Sequence, residues 1–328
     1  MFANIWVFVV IALLFDFLNG FNDSANIVAT MIASRAMRPR QALILSAIAH
    51  FIGPFLFGVA VATTIGHEVV SEQAATIAVV SAALLASIVW NIITWLLGIP
   101  SSSSHALVGG LIGAAIVGYG TTAVQLSGVL KVIVTLLLSP ILGLVGGYLL
   151  MKVILFLARG ATPHINQFFK KAQIVTALWL ALSHGTNDAQ KTMGIITMGL
   201  FAVGALPEFS VPTWVITACA SAISLGTVMG GWRIIRTLGR GFYKIRPVHG
   251  FASQIASALV ITTAALAGGP VSTTHVVSSS ILGVGSAERM NKIRWGVVGH
   301  IVTAWILTIP ASGLLSALAY GLMVRFWG

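Results

Sequence analysis

Two short polar segments carry the residues of this chain that are best suited to binding charge. The sequences GFNDSAN at 20–26 and GTNDAQK at 185–191 each place an Asn-Asp pair inside an apolar stretch. The chain has only three aspartates, and two of them are Asp23 and Asp188. Because an ionised carboxylate is costly to keep in apolar surroundings, the two pairs are candidates for a binding site that handles ions or a charged substrate.

A second pair of motifs predicts a site for an anion. PSSSSH at 100–105 and PVSTTH at 270–275 follow Gly-rich dipeptides, where proline stops one helix and Ser or Thr caps the next. Free N–H groups and hydroxyls at helix N-termini attract anions. The predicted substrate-binding residues are Asn22, Asp23, Ser102, Ser103, Ser104, Asn187, Asp188, Ser272, Thr273 and Thr274. His105 and His275 end the motifs, and either core packing or contact with substrate or protons fits them.

Carboxylates repel an anion unless a cation binds with it or the substrate donates a proton to them. Phosphate at neutral pH carries hydroxyls, whereas sulfate has none, so two aspartates favour phosphate. Moving a dianion inward against ~100 mV costs about 4.6 kcal/mol, at roughly 2.3 kcal/mol per charge. A cation that travels with the anion offsets this cost, and the predicted coupling-ion residues are Asn22, Asp23, Asn26, Asn187 and Asp188. Sodium is one ion that Asn and Asp oxygens could hold.

Composition places these motifs in a membrane protein. Of 328 residues, 57% are hydrophobic and 8% are charged, against roughly a quarter charged in soluble domains. Apolar runs such as 129–158 and 295–323 exceed the roughly 20 residues that cross a bilayer as helix. The net charge of +11 lies mainly in short loops between these runs, which indicates membrane orientation rather than nucleic-acid binding. The single cysteine excludes an intrachain disulfide and a Cys-based metal cluster.

The recurrence of both motifs indicates an internal duplication. Residues 1–157 form the predicted first repeat, 158–171 a basic cytoplasmic linker and 172–328 the second repeat. The loop with Arg35–Arg40 corresponds to a loop without Lys or Arg in the second half, and at the next turn the pattern is reversed. The sequence therefore predicts an all-α protein of two inverted-topology repeats, with about 10–12 transmembrane segments and helices broken or re-entrant at all four motifs.

The chain resembles the inorganic phosphate transporter (PiT) family. The resemblance rests on GFNDSANIVATMIASRAMRP, SHGTNDAQKTMGI and GGPVSTTHVVSSSILG and covers essentially the whole chain. It implies uptake of inorganic phosphate with a cation, inverted repeats and a homodimer, with the motif residues forming the phosphate and ion sites. Sodium-coupled animal members carry glutamates where this chain has His50 and Gln254, and an Asn where it has Lys191. The pattern is closer to bacterial proton-coupled members, some of which carry a neutral metal–phosphate complex. Lys191 then takes the place of one cation or contacts phosphate.

These observations predict a secondary active symporter that imports phosphate with a proton or sodium ion by alternating access. It would be a multi-pass protein of the cell (inner or plasma) membrane without a resident cofactor or catalytic residues. A sulfate transporter of the same fold and a passive anion channel are the alternatives. An intramembrane hydrolase is disfavoured because the chain has no G-x-S-x-G motif. Asp16 is either a further polar group of the pathway or a capped structural acid, while His50 and Gln254 are expected to be packing partners.

Overall fold

The protein is a bundle of helices. The computed structural model describes the backbone of residues 2–327, and the side chains of all of these except residues 2–4, 67 and 327. The first half contains α1 (Phe2–Ala33), α2 (Pro39–Leu56), α3 (Ala60–His67), α4 (Ile77–Leu97), α5 (Ser103–Tyr119) and α6 (Leu126–Leu157). The second half contains α7 (Ile165–Ala202), α8 (Thr213–Met229), α9 (Trp232–Arg240), α10 (Pro247–Leu266), α11 (Thr273–Arg289) and α12 (Trp295–Trp327). Extended pairing within the described residues is limited to one isolated bridge.

Length and composition fit a multi-pass membrane protein. Five helices are long and apolar enough to cross a bilayer, or up to seven if each bent helix pair counts as one span. The 38-residue α7 is not among them, because its middle carries the polar segment from His184 to Lys191. Long helices α6 and α12 expose leucines over much of their length, as lipid-facing helices do. The prediction of an all-α membrane protein is confirmed.

The order of elements repeats. Each half has a long helix, a bent pair, a further helix, a helix that begins just after a serine, a short 3₁₀ turn and a long helix. The bends are 80° between α2 and α3 and 69° between α8 and α9. Packing between the halves is reciprocal: α1 packs on α8 as α7 packs on α2, and α5 packs on α12 as α11 packs on α6. The helix α7 begins at Ile165 and so includes the last part of the predicted linker.

The prediction that the Asn-Asp motifs break their helices is wrong. Both α1 and α7 run unbroken through them. Gly20 and Gly185 serve close packing instead: an added Cβ would lie 2.1 Å from the Ile223 carbonyl oxygen of α8 and 2.7 Å from the His50 Cα of α2, respectively. Tertiary packing outweighs the weak helix propensity of Gly, Asn and Asp here.

The helices are interrupted at four places, two of which were predicted. The chain leaves helical conformation before α5 and α11, at the two Ser/Thr motifs, as predicted. It also breaks between α2 and α3 and between α8 and α9. These last two breaks were not predicted, and each contains a glycine with positive φ, Gly58 at 74° and Gly230 at 68°, a conformation that glycine adopts at little cost.

The two larger of three apolar cores lie on either side of a polar layer. The first contains residues between Ile5 and Phe15 of α1 and between Ala189 and Leu200 of α7. The second contains residues 25–31 of α1 and 177–181 of α7. Both Asn-Asp motifs therefore lie near the junction of the two cores, where the long helices α1 and α7 cross the interior.

Candidate functional site

One face of α1 carries a stripe of buried polar side chains. Asp16, Asn19, Asp23, Asn26 and Thr30 follow one another at spacings of three or four residues, and each is at most 4% exposed. Such spacings place side chains on one face of a helix. This stripe meets the middle of α7, so the two Asn-Asp motifs face a common interior.

The first carboxylate is held by an amide and a hydroxyl. The Thr274 hydroxyl donates to Asp23 Oδ1 at 2.8 Å. The Asn26 amide donates to the same oxygen at 3.1 Å and to Thr274 Oγ1 at 3.0 Å. The other oxygen, Asp23 Oδ2, is buried and has no hydrogen-bond partner among the described residues. This carboxylate therefore keeps one oxygen available to a ligand.

The second carboxylate is fully engaged. Lys191 forms an ion pair with Asp188 Oδ1 and also donates to the Val271 carbonyl at 3.0 Å. The Thr273 hydroxyl donates to Asp188 Oδ2 at 3.1 Å, and His184 Nδ1 lies 3.1 Å from the same oxygen. The ammonium group of Lys191 thus neutralises this aspartate within the protein.

The two carboxylates meet. Asp23, His184 and Asp188 each offer one ligand atom, and these atoms lie within 4.8 Å of one another. Four buried oxygens of the two Asn-Asp motifs lack partners within the described part of the chain: Asn22 Oδ1, Asp23 Oδ2, Asn26 Oδ1 and Asn187 Oδ1. Hard cations such as sodium take oxygen ligands of this kind. The Asp23 side therefore fits a small cation, whereas the Asp188 side already holds a lysine.

The N-termini of α5 and α11 lie beside this cluster. Ser102 caps α5 by accepting from the backbone N–H of His105 at 3.2 Å, and Ser272 caps α11 by accepting from that of His275 at 3.3 Å. The Ser104 hydroxyl donates at 3.1 Å to the same Val271 carbonyl that Lys191 contacts. Two helix starts, each with backbone N–H groups unused by the helix itself, converge on the two carboxylates.

Comparison with known proteins identifies the class of this chain. Residues 19–316 match the sequence model of the phosphate transporter family. The chain belongs to the phosphate transporter family. This membership confirms the resemblance seen in the sequence motifs, and it marks the protein as a transporter and not an enzyme.

Close relatives of this family member span nearly its full length. It is 45% identical to the "Probable low-affinity inorganic phosphate transporter" of Rhizobium meliloti (strain 1021), over 95% of this chain and 94% of the relative. It is also 45% identical to the protein of the same description in Bacillus subtilis (strain 168), over 95% of both chains. A solved structure, "The sodium-dependent phosphate transporter", superposes with a TM-score of 0.89 over 99% of this chain and 100% of that one. At 23% identity this likeness shows the fold.

In this phosphate transporter family member, the two Ser/Thr motifs play unequal parts. Thr273 and Thr274 donate to the carboxylates, whereas the described hydrogen bonds of Ser104 go to a backbone carbonyl. Ser103 is buried on the first turn of α5, and none of its described contacts is a hydrogen bond to either aspartate. Among the described hydrogen bonds, the hydroxyls that reach the two acids therefore come from the motif in the second half of the chain.

The two motif asparagines, Asn22 and Asn187, bind backbone carbonyls, and the two motif histidines contact each other. The amide of Asn22 donates to the Asn91 carbonyl of α4, and that of Asn187 to the Gly269 carbonyl after α10, both at 3.2 Å. The rings of His105 and His275 lie with centroids 4.5 Å apart. The two motif histidines therefore contact each other where the two helix starts meet.

Sequence reasoning missed His184 and understated Gln254. His184 lies four residues before Asp188, a spacing that places both on one helix face and was available as a signal in the sequence.

His50 stacks on His184, with ring centroids 5.1 Å apart, and forms a hydrogen bond with Thr227, as expected of a packing partner. Gln254 accepts from the Thr176 hydroxyl at 2.6 Å and donates to Thr30 at 3.0 Å, tying α10 to the polar stripe.

Proposed function

We propose that this protein is a secondary active symporter that imports inorganic phosphate together with a cation. The observation that carries the proposal is the meeting of Asp23 and Asp188, one from each repeat, beside the N-termini of α5 and α11. The site would lie within the plasma (inner) membrane and open alternately to each side as the repeats move against each other. In line with the family resemblance, the proposal includes opposite insertion of the two repeats and a homodimer.

Phosphate would bind at the two helix starts. Backbone N–H groups at a helix N-terminus are a ready anion site, and the hydroxyls of Ser103, Ser104, Thr273 and Thr274 add donors. The carboxylate of Asp23 would accept a hydroxyl of the protonated phosphate. This requirement for a substrate proton discriminates against sulfate, which has none to donate.

The coupling cation would bind on the Asp23 side of the site. The unpartnered oxygens of Asp23, Asn22, Asn26 and Asn187 would be its ligands if it is a sodium ion, and a proton on the Asp23 carboxylate is the other candidate. Lys191 supplies a fixed positive charge to Asp188. The two repeats would therefore contribute differently: one binds a mobile cation, and the other carries its own. A similar structure is described as a sodium-dependent phosphate transporter, which supports a cation-coupled mechanism.

A basic cavity supports a direction for release. It has a volume of about 1020 Å³, is bordered by Ser34 at the end of α1, and is lined by Arg35, Arg236, Arg240, Lys244, Arg246 and Arg294. Basic residues beside membrane spans tend to lie on the cytoplasmic side, so we place this cavity there. Ser34 donates to Gln173 at 2.8 Å, and one turn further in lies the Thr30–Gln254–Thr176 chain of hydrogen bonds. We infer that these contacts close the inner path and that a positive field draws phosphate out once they open.

The test is phosphate uptake into proteoliposomes with sodium and pH gradients imposed separately. We expect accumulation above the external concentration with at least one gradient, and its loss in Asp23→Asn. Glu68→Gln removes an exposed carboxylate and is the matched control. Uptake that only equilibrates phosphate would indicate a channel. Inhibition by unlabelled sulfate as strong as that by phosphate would indicate a sulfate transporter, and either result would overturn the proposal.

A further inference from the structure

The third aspartate of the chain occupies an unusual position. Asp16 lies two turns of α1 before Asp23 and is 0% exposed. The donors that lie against its oxygens are the Thr192 hydroxyl of α7 and the Cys219 thiol of α8, and among the described residues neither completes a hydrogen bond of normal geometry. A capping acid accepts hydrogen bonds from backbone N–H groups, and Asp16 accepts none. The alternative of a capped structural acid is therefore removed.

Other buried polar atoms around Asp16 also lack partners. Asn19, one turn further along the same face of α1, has an unpartnered amide nitrogen and an unpartnered amide oxygen. The hydroxyl of Thr192 on α7 faces Asp16 and has no hydrogen bond of normal geometry within the described residues. Buried polar atoms in proteins are nearly always paired, so several unpaired polar atoms at one place indicate a missing ligand.

The charged groups near Asp16 do not neutralise it. Asp188 and Lys191 of α7 act on it electrostatically, and the Cys219 thiol of α8 is its other titratable neighbour. The ammonium group of Lys191 is already bound to Asp188 and to a carbonyl. The helix α4 contains no titratable residue. The helix α9, with its arginines, lies along the later part of α1, from the approach of Gly231 to Phe21 to that of Gly239 to Ala29.

An isolated carboxylate at this depth is too costly to remain charged and unpaired. Either a proton or a small metal cation has to neutralise it. The carboxylate oxygens of Asp16, the amide oxygen of Asn19 and the hydroxyl of Thr192 are all oxygen donors, which suits a small hard cation and repels an anion.

We propose that Asp16, with Asn19 and Thr192, forms a second site for a monovalent coupling cation, a proton or a sodium ion, separate from the Asp23–Asp188 cluster. This inference rests on the proposed function of cation-coupled transport. A cation bound at Asp16 removes a negative charge that acts on Asp188 and its surroundings, and so favours the entry of phosphate at the neighbouring helix starts. Loading of this site and binding of phosphate are thereby coupled.

The test compares two activities of Asp16→Asn on the same proteoliposomes. Asparagine mimics the neutral, loaded form and cannot release the cation. We expect gradient-driven accumulation of phosphate to fall by at least tenfold relative to phosphate exchange measured without a gradient, because each coupled cation contributes about a factor of ten in accumulation per tenfold gradient. If accumulation is lost only when a pH gradient drives uptake, the cation at Asp16 is a proton. If it is lost only when a sodium gradient drives uptake, the cation is sodium. Glu68→Gln is the control for removing a carboxylate elsewhere.

Three results would overturn the proposal. One is an unchanged ratio of accumulation to exchange under both gradients. Another is complete loss of exchange in a variant that still elutes as a single symmetric peak, since Asp16 would then be part of the substrate path. The third concerns Asn19→Leu, which keeps the Asp16 carboxylate. We expect the sodium or proton concentration for half-maximal uptake to shift by about tenfold. No shift would show that Asn19 is not part of the site. Failure of the wild-type protein to accumulate phosphate would instead refute the proposed function.

Discussion

Replacing Lys191 with asparagine would make the two Asn-Asp motifs alike, because Asn26 occupies the corresponding place in the first motif. The change removes the ammonium group that neutralises Asp188 and leaves the carboxylate buried. We expect the variant to be less stable than the wild type in the absence of sodium, and to recover stability when a cation takes the vacated place beside Asp188.

The size of the effect follows from burial. The Lys191 and Asp188 side chains are 1% and 0% exposed, and removing one partner of a buried ion pair costs about 3–5 kcal/mol. At about 2 °C per kcal/mol, this lowers the unfolding midpoint by about 6–10 °C. A cation at 100 times its dissociation constant restores about 2.7 kcal/mol. Lys131→Asn is the matched control, because the Lys131–Glu68 pair is 44% and 37% exposed and such pairs contribute about 0–1 kcal/mol.

The measurement is thermal unfolding of purified protein in detergent, in sodium chloride and in choline chloride at equal ionic strength. The rise in midpoint on replacing choline by sodium should be larger for Lys191→Asn than for the wild type, whereas Lys131→Asn should show the same rise as the wild type. If the midpoint of Lys191→Asn equals that of the wild type in choline chloride, the lysine does not neutralise Asp188. If sodium fails to raise the lowered midpoint, the vacated place is not a cation site.

Three further changes test other parts of the structure. Gly20→Leu should abolish the yield of monodisperse protein, because even a Cβ there would lie 2.1 Å from a carbonyl oxygen, whereas Gly296→Ala meets no atom within 4 Å and should be tolerated; a well-behaved Gly20→Leu protein would contradict the close packing. Thr274→Val removes a hydrogen bond to Asp23 and should cost about 1.5–3 kcal/mol in thermal unfolding and slow phosphate uptake; Thr274→Ser keeps the hydroxyl, and equal effects of the two would argue against that bond. Ser102→Ala removes the cap of α5 and should lower stability by about 1 kcal/mol, so an unchanged unfolding midpoint would speak against the cap.

Much of the site was predictable because its residues are conspicuous. In a chain with so few charges, Asp23 and Asp188 are readily recognised as candidate binding residues. The repeated motifs indicate that they belong to one site. The membrane class follows from composition, and the breaks before α5 and α11 follow from local Gly, Pro and Ser chemistry. Each of these inferences depends on properties of neighbouring residues in the sequence.

What could not be predicted depends on contacts between distant segments. The same Gly20 that reads as a helix breaker is a point of close helix contact, and only the position of α8 distinguishes the two. Likewise, the sequence left Lys191 with two roles, and its ion pair with Asp188 and its bond to the Val271 carbonyl depend on how α7 packs against the segment before α11. The free oxygen of Asp23 and the orphaned carboxylate of Asp16 are visible only when every neighbouring donor has been placed.

The reciprocal packing of the two halves has a consequence for biosynthesis. The largest partner of α5 is α12 and that of α6 is α11, so both wait for helices that the ribosome makes later. Until α7 arrives, α1 has to enter the bilayer without the helix that covers Asp16 and Asp23. The first half therefore lacks its main packing partners when it leaves the translocon. During insertion, Asp16 and Asp23 have to remain in contact with lipid or water until the second half buries them.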